Sequence, residues 1–442
     1  ALKRGGFVGV FVDQHAGDHG KWVPFFNKLA STSVLPVVLQ GHSNAAMIPV
    51  YCEAKTEGGW RVEFGPEIAS CRDEGETLHR IHLALEKKIL ENPALYFWLH
   101  NRWKVPKRHI FFYHYRRGFY WPPGHDLQRF RILVRCTNWL GDAVLTIPAL
   151  RAIKIARPDC HVTLMAPPDL LEFWKGQYYL DAVVPPEELQ DSEFDLGIVF
   201  PNSMRAFLEL YQNEVDTIVG YAGDFPRRFM LDVVVPDRCR AGFREHDVYD
   251  FLGLVDYLGA GTAKQVPEYT ISKTLGKDEK TIAMHMGASY GPAKRWGEER
   301  FVELAKRFPD YRWVLIGAPD EDDVNRQAAT QIGRNAIVAR TKLDELGKLL
   351  ARSRCLVCND SGPMHFAAAV GTPVVAVFGS TEPSLTGPLG EGHEIVREKV
   401  ECSPCFLREC PIDLRCMNGV SVDAVERALR RVLSRTSSVG KN

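Results

Sequence analysis

Residues 359–365, Asn-Asp-Ser-Gly-Pro-Met-His, crowd an amide, a carboxylate, a hydroxyl and an imidazole in front of the apolar run FAAAV. Asp360, Ser361, Gly362 and His365 are types that can seat an anionic ligand when backbone N–H groups lie free beside them. Asp360 or Ser361 also suits a helix N-cap, a reading that leaves His365 one turn further on unexplained. A second polar turn, TNWLGDAVLTIPAL (137–150), carries Asp142. That carboxylate reads either as a helix cap or as a general base at a cleft. A third stretch, MGASYGPAKRW (286–296), holds Ser289 and Lys294 between glycines. These are either solvated loop groups or partners for a diphosphate, and the stretch lacks the spacing of an ATPase P-loop.

Elements must position these groups. CLVC (355–358) and TPVVAVFG (372–379) read as buried parallel strands, and PMHFAAAV between them as a helix with Pro363 at its start and Gly371 at its end. The polar residues then sit at a strand's carboxyl end and a helix's amino end, where open α/β sheets bind ligands. The same alternation begins at 131 with RILVRC and continues through HVTLMA, LGIVF and DTIVGY. It restarts after a polar hinge at 264–280 with TIAMHMG, EERFVELAKRF, RWVLIG and LDELGKLLARS. Two successive blocks of this kind predict α/β architecture with two doubly wound domains facing across a cleft, at 131–270 and 271–442.

The chain has 442 residues, enough for two to four domains of about 150 residues each. Lys+Arg and Asp+Glu both number 55, so overall charge favours no polyanionic partner and nucleic acid is not expected. The sequence shows no transmembrane run and no signal peptide. Its 11 cysteines are mostly scattered, as reduced thiols of a cytosolic protein are. The exception is Cys402, Cys405, Cys410 and Cys416. Four thiols so close can hold a structural zinc, but the spacing is not that of a zinc finger, and packing alone can fold such a loop. No metal or other cofactor is expected, zinc being the less favoured alternative.

RCTNWLGDAVLTIPALRAIK, FPNSMRA, GASYGPAKRW and NDSGPMHFAAAVGTPVVAVFGSTEP together resemble the ADP-heptose:lipopolysaccharide heptosyltransferases, glycosyltransferase family 9. CSPCFLRECPIDLRCM is similar to the type II enzymes in particular. The resemblance covers roughly 131–434. It implies a GT-B pair of Rossmann-like domains and inverting transfer of heptose from ADP-heptose to the lipopolysaccharide inner core. The first domain would hold the acceptor and the second the nucleotide sugar. By matching position it makes Asp142 the base and Lys294 the phosphate ligand. It places Ser289, Asp360, Ser361, Gly362 and His365 at the donor, and Asn202, Ser203 and Arg205 on the acceptor side. Asp320, Glu321 and Asp322 follow the strand VLIG, where an acidic residue serves ribose in such folds, and the choice among them stays open.

Residues 1–108 form another block. FVGVFVDQ reads as a strand, VLPVVLQGHSNAAMIPVYCEA as strand–turn–strand, and ETLHRIHLALEKKILENP as an amphipathic helix. VFVDQHAGDHGKWVPFFNKLASTS and ALYFWLHNRWKVPK resemble the second half of lipid A (lauroyl-type) acyltransferases. That family works through a His-x4-Asp/Glu pair, which does not occur between 1 and 130; His393 and Glu398 match the spacing but lie in the other block. A partial α/β acyltransferase-like domain without its catalytic half is therefore expected, with an upstream segment missing from a chain that opens on Ala. Residues 109–130 read as a linker. Across 101–135 stand nine Lys/Arg, one Asp and nine aromatics. This strip is either an ordered connector stacking its rings or a peripheral contact with the cytoplasmic face of the inner membrane. The alternatives to a heptosyltransferase are a bifunctional acyltransferase/heptosyltransferase and a non-catalytic nucleotide-sugar-binding module.

Overall fold

The structure is a computed structural model that describes residues 1–55, 57–103, 118–189, 193–223, 225–236, 245–261, 266–271 and 275–436. The chain packs as two compact units, one of Ala1–Phe130 with Ile155–Cys160 and Tyr257–Ala260, the other of the remaining residues.

In the first unit, β1 (Lys21–Phe25) and β2 (Lys28–Thr32) form an antiparallel hairpin. Its two-residue turn puts Phe26 and Asn27 at positive φ, the geometry that matches strand twist in tight hairpins. Helix α1 (Leu35–Ser43) and a second hairpin, β3 (Val50–Ala54) with β4 (Trp60–Phe64), follow. Helix α2 (Glu74–Glu91) is capped by Asp73, whose carboxylate accepts from the N–H groups of Gly75 and Glu76. It lays Leu78, Ile81 and Ile89 against Val23, Phe25 and Ala30. His82 is fully buried there, with Nδ1 2.7 Å from the Pro24 carbonyl. Burial, with Arg102 beside it, drops its pKa to about 3, so it is a neutral core residue at neutral pH.

Two sequence expectations fail in this unit. FVGVFVDQ forms no strand: Phe7 is 96% and Phe11 81% exposed, and no neighbouring strand offers a ladder among the described residues. The first half of VLPVVLQGHSNAAMIPVYCEA is a helix, not a strand. Pro36 sits in its first turn and Asn44 closes it in the left-handed conformation, both ordinary helix-end chemistry that outweighs the β-branched valines. Of the expected linker, 109–117 lies outside the described residues, as do 264–265 and 272–274 of the expected hinge.

The second unit contains two parallel six-stranded sheets. The first sheet is built from β5 (Phe130–Arg135), α3 (Leu140–Ala156), β6 (Cys160–Met165), α4 (Leu171–Trp174), β7 (Ala182–Val184), β8 (Leu196–Val199), α5 (Met204–Tyr211), β9 (Ile218–Tyr221), β10 (Val233–Val235) and α6 (Val248–Tyr257). The second comprises β11 (Asp278–His285), α7 (Glu298–Lys306), β12 (Arg312–Leu315), α8 (Asp322–Ile332), β13 (Ala336–Val338), α9 (Leu343–Arg352), β14 (Ser353–Asn359), α10 (Gly362–Ala369), β15 (Val374–Phe378), α11 (Pro383–Thr386), β16 (Glu394–Arg397), α12 (Arg415–Asn418) and α13 (Val422–Thr436).

The strand orders are β10-β9-β8-β5-β6-β7 and β13-β12-β11-β14-β15-β16. Each is the doubly wound order, in which the winding reverses beside the first strand and opens a crevice at the carboxyl ends of two neighbours. Those neighbours are β5 and β8 in one sheet, β11 and β14 in the other. All seven residues of β14 are buried, which is why its sequence reads as a continuous apolar run rather than an alternation. Helix α13 covers the second sheet with Val425, Leu429 and Val432. Phe173 of α4, Tyr269 and Phe366 of α10 pack ring to ring at 4.8–5.0 Å, tying the two sheets' helices together.

Candidate active site

Four of the segments picked out in the second unit leave the carboxyl end of a switch-point strand. Asp142 follows β5, Asn202 follows β8, Lys294 follows β11, and Asp360 to His365 follow β14. The two sheets bring two helix amino termini into contact. A Cβ added to Gly141 in α3 would lie 3.2 Å from His365 Cδ2 and 3.5 Å from Gly362 Cα; one added to Gly362 would lie 3.2 Å from Leu140 Cβ. Glycine at both positions is what lets the helix ends approach so closely.

The Ala143 N–H donates to the Trp139 carbonyl, so Asp142 is the third helical residue and not the cap. Among the described residues no hydrogen bond reaches its carboxylate. Burial raises its pKa above the ordinary carboxylate range, opposed in part by the charge of Lys294. It lines a cleft of about 460 Å³ with Thr137, Asn138, Trp139, Asn202 and Tyr221. Arg135 props one wall by donating to Asn138 Oδ1 at 3.1 Å.

Around the second sheet, Lys294 Nζ lies 2.6 Å from Asp360 Oδ2, both groups buried. The same oxygen accepts from Thr381 Oγ1 at 2.6 Å and sits 3.4 Å from Thr386 Oγ1. The Lys294 ammonium also lies 4.6 Å from the centre of the Tyr290 ring, with the Arg408 guanidinium 5.3 Å from that centre. Ser361 occupies the N-cap position of α10 but makes no capping bond. Its Oγ instead lies 3.0 Å from His285 Nδ1 and 3.1 Å from the Asn359 carbonyl. His285 Nε2 is 3.3 Å from Glu321 Oε2. Asn359 is a strut: its amide donates to the Met286 carbonyl at 2.6 Å and accepts from the Trp296 N–H at 3.1 Å, fixing the 286–296 loop to β14. His365 is buried, and burial lowers its pKa to about 4, so a neutral imidazole faces Gly141.

The three candidate ribose carboxylates separate cleanly. Asp322 is engaged by Arg326 and Arg340. Asp320 is exposed. Glu321 turns inward to His285, in a cradle where a Cβ on Gly287 would fall 1.5 Å from its Oε1. Burial pushes the Glu321 pKa up, but the hydrogen bond and charge of His285, the Ala318 N–H and the charge of Arg295 together outweigh it and hold the carboxyl below its ordinary value.

Other residues stand apart. Ser289 is exposed on its loop, with no hydrogen bond to the others among the described residues. Ser203 caps α5 through the Ala206 N–H, and Arg205, 88% exposed, pairs with Glu209. Of that acceptor-side trio, Asn202 alone lines the Asp142 cleft. Cys402 and Cys405 are exposed, Cys410 accepts from the Leu414 N–H at 3.3 Å, and Cys416 is buried. Among the described residues no three His, Cys, Asp or Glu side chains converge on a metal position. The loop is held by backbone contacts, including the N–H groups of Cys405 and Phe406 on the Ser380 carbonyl. His285, Thr381 and Asp247 were not singled out from the sequence; they reach the site from distant segments. No described helix is long and apolar enough to cross a membrane.

Comparison with known proteins agrees with this geometry. Residues 186–415, more than half of the chain, match the family model of glycosyltransferase family 9 (heptosyltransferase), and residues 1–105 match that of the bacterial lipid A biosynthesis acyltransferases. Lipooligosaccharide heptosyltransferase 2 of Haemophilus influenzae is 29% identical over 311 residues, covering 60% of this chain and 88% of that protein. Lipopolysaccharide heptosyltransferase 1 of Pseudomonas aeruginosa is 31% identical over 313 residues, covering 63% and 87%. The structure of Escherichia coli ADP-heptose lps heptosyltransferase II superposes with a TM-score of 0.59 at 23% identity, covering 70% of this chain and 100% of that one, which establishes the shared fold. Behind an amino-terminal segment of lipid A acyltransferase type, the chain thus carries the paired doubly wound sheets of the GT-B fold and belongs to glycosyltransferase family 9 (heptosyltransferase).

Proposed function

We infer that this chain is an inverting glycosyltransferase that moves heptose from ADP-heptose to the inner core of lipopolysaccharide. The observation that carries the reading is the abutment of Gly141 with Gly362 and His365. It sets a partly buried carboxylate that no protein donor satisfies, among the described residues, near Lys294, which is paired with Asp360 just ahead of the anion-favouring helix α10. Lys294, the Ser361 hydroxyl, Ser289 and the N–H groups at Gly362 take the diphosphate, where fixed donors stabilise charge as the leaving group departs. Asp360 and the neutral His365 hold sugar hydroxyls, and Glu321 takes the ribose. The acceptor enters the cleft lined by Asn202. Asp142 removes the proton from its attacking hydroxyl, opposite the departing ADP, as inversion requires. The raised pKa of Asp142 makes it a better base than an exposed carboxylate.

The amino-terminal unit adds no acyl-transfer chemistry in this reading, since its sequence has no His-x4-Asp/Glu pair. The protein works at the cytoplasmic face of the inner membrane. The decisive test is a donor screen by mass spectrometry with defined core acceptors, followed by NMR of the product's anomeric centre. Heptose transfer with inversion is expected. Preference for another nucleotide sugar, retention, or ADP-heptose binding without turnover on any core acceptor would refute the assignment.

A further inference from the structure

Near the cleft stands a further carboxylate that no motif pointed to. Asp247 directly precedes α6, where a helix cap belongs, and its carbonyl accepts from the Asp250 N–H at 3.1 Å. Its side chain does not act as that cap: among the described residues no hydrogen bond reaches the carboxyl. The backbone here is pinned to the donor-side sheet instead. The Asp247 N–H donates to the Leu385 carbonyl at 2.9 Å, and His246 Nε2 lies 2.9 Å from the Gly387 carbonyl. Between those two carbonyls stands Thr386, whose hydroxyl is 3.4 Å from Asp360 Oδ2. Asp247 is therefore fastened next to a partner of Asp360, although it comes from the acceptor-side half of the chain.

The charged groups that bear on it come from four elements: Asp250 from α6, Asp142 from α3, Asp360 from the β14–α10 turn, and Lys294 from the loop after β11. Three carboxylates and one ammonium leave the neighbourhood acidic where a diphosphate must sit. A polyanion bound there disfavours the charged form of each neighbouring acid. Burial first, then the neighbouring carboxylates, push the Asp247 pKa up to about 7.

We propose that Asp247 contacts the sugar nucleotide as a neutral acid, donating a hydrogen bond to the diphosphate while the bond to the sugar breaks. The proposal rests on the nucleotide-sugar reading above. The carboxyl keeps its proton throughout; no proton is transferred. Its O–H strengthens its hold as negative charge accumulates on the departing oxygen, which is stabilisation of the transition state over the ground state. The arriving polyanion in turn holds the acid neutral, so nucleotide binding and proton uptake at Asp247 are coupled.

Calorimetry of ADP binding near pH 7, repeated in buffers of different ionisation enthalpy, reads that coupling. Since the apparent pKa is about 7, the parent should take up up to about half a proton more per ADP than Asp247→Asn does. ADP's own titration is common to both proteins and cancels in the difference. In turnover, the parent's kcat/KM for donor should fall as pH rises above about 7, whereas Asp247→Asn, whose amide donates but does not titrate, should lose that fall. Equal proton uptake in the two proteins, or an alkaline limb unmoved by the substitution, would overturn the proposal and leave Asp247 as a helix end. Should Asp247→Asn not fold, a parent profile that stays flat from about pH 7 to about pH 9 overturns it by itself. A parent that binds no ADP at all would instead remove the nucleotide-sugar reading on which it rests.

Discussion

Replacing Lys294 by methionine removes one half of a buried ion pair, and the consequences should split into two measurable parts. The ammonium lies 2.6 Å from Asp360 Oδ2, and both residues are almost wholly buried. Losing one partner of such a pair costs about 3–5 kcal/mol, mainly because the remaining charge stays desolvated. The hydroxyl of Thr381 at 2.6 Å still bonds Asp360, which places the expected loss at the lower end, about 3 kcal/mol. Chemical denaturation should show it as a lower midpoint. The double variant Lys294→Met/Asp360→Asn carries neither charge, and its amide can still accept from Thr381. Its stability should return to within about 1.5 kcal/mol of the parent, as an uncharged replacement of a buried pair usually does. Nucleotide binding should behave differently. A hydrogen bond to a charged group contributes about 1.5–3 kcal/mol, or roughly 10- to 150-fold in affinity. Calorimetry with ADP should therefore show that loss in the single and the double variant alike. If the double variant regains both stability and ADP affinity, Lys294 serves only to neutralise Asp360, and its role as the diphosphate ligand is wrong.

Asp142→Asn should lower turnover by about 10²–10⁴-fold while ADP affinity stays within a few-fold, because the base and the diphosphate contacts stand on different sheets; a rate within about tenfold of the parent would reduce Asp142 to scenery. Since a base acts when deprotonated and the Asp142 pKa is raised, activity should decline on acidification at a higher pH than an ordinary carboxylate gives, and a pH–rate profile of the parent checks it. Gly141→Ala places a methyl 3.2 Å from His365 Cδ2, so turnover should fall with an unchanged denaturation midpoint; unaltered kinetics would mean the helix ends part freely. Acyl transfer from an acyl-carrier thioester to a lipid A precursor should not exceed a blank, because residues 1–130 hold no His-x4-Asp/Glu pair.

The switch-point strands were readable because burial on both faces writes itself into the chain as continuous apolar runs. CLVC and TPVVAVFG announced β14 and β15, and Pro363 marked the helix between them. The first unit was harder for the converse reason. Strand pairing there is local, and the apolar run with Phe7, Val8 and Phe11 looked like a strand that has no partner to join among the described residues. At 35–43 the valines argued for β while Pro36 and Asn44, the ends of a helix, decided it. Motif residues that stay within one loop, such as Lys294 and Asp360, could be named in advance; what they bond to could not. Thr381 reaches Asp360 across 21 positions and His285 reaches Ser361 across 76, distances over which no local pattern links two residues. Asp247 is the extreme case, since the groups that shift its acidity come from α6, α3 and two separate turns. A polar residue before a helix has an adequate local explanation as a cap, and that explanation hides any other. The carboxyl's lack of a capping bond, visible only in three dimensions, is what frees Asp247 for the cleft. The same logic holds for Ser361: it occupies a cap position, yet its hydroxyl turns to His285 and the Asn359 carbonyl rather than to the first N–H groups of α10.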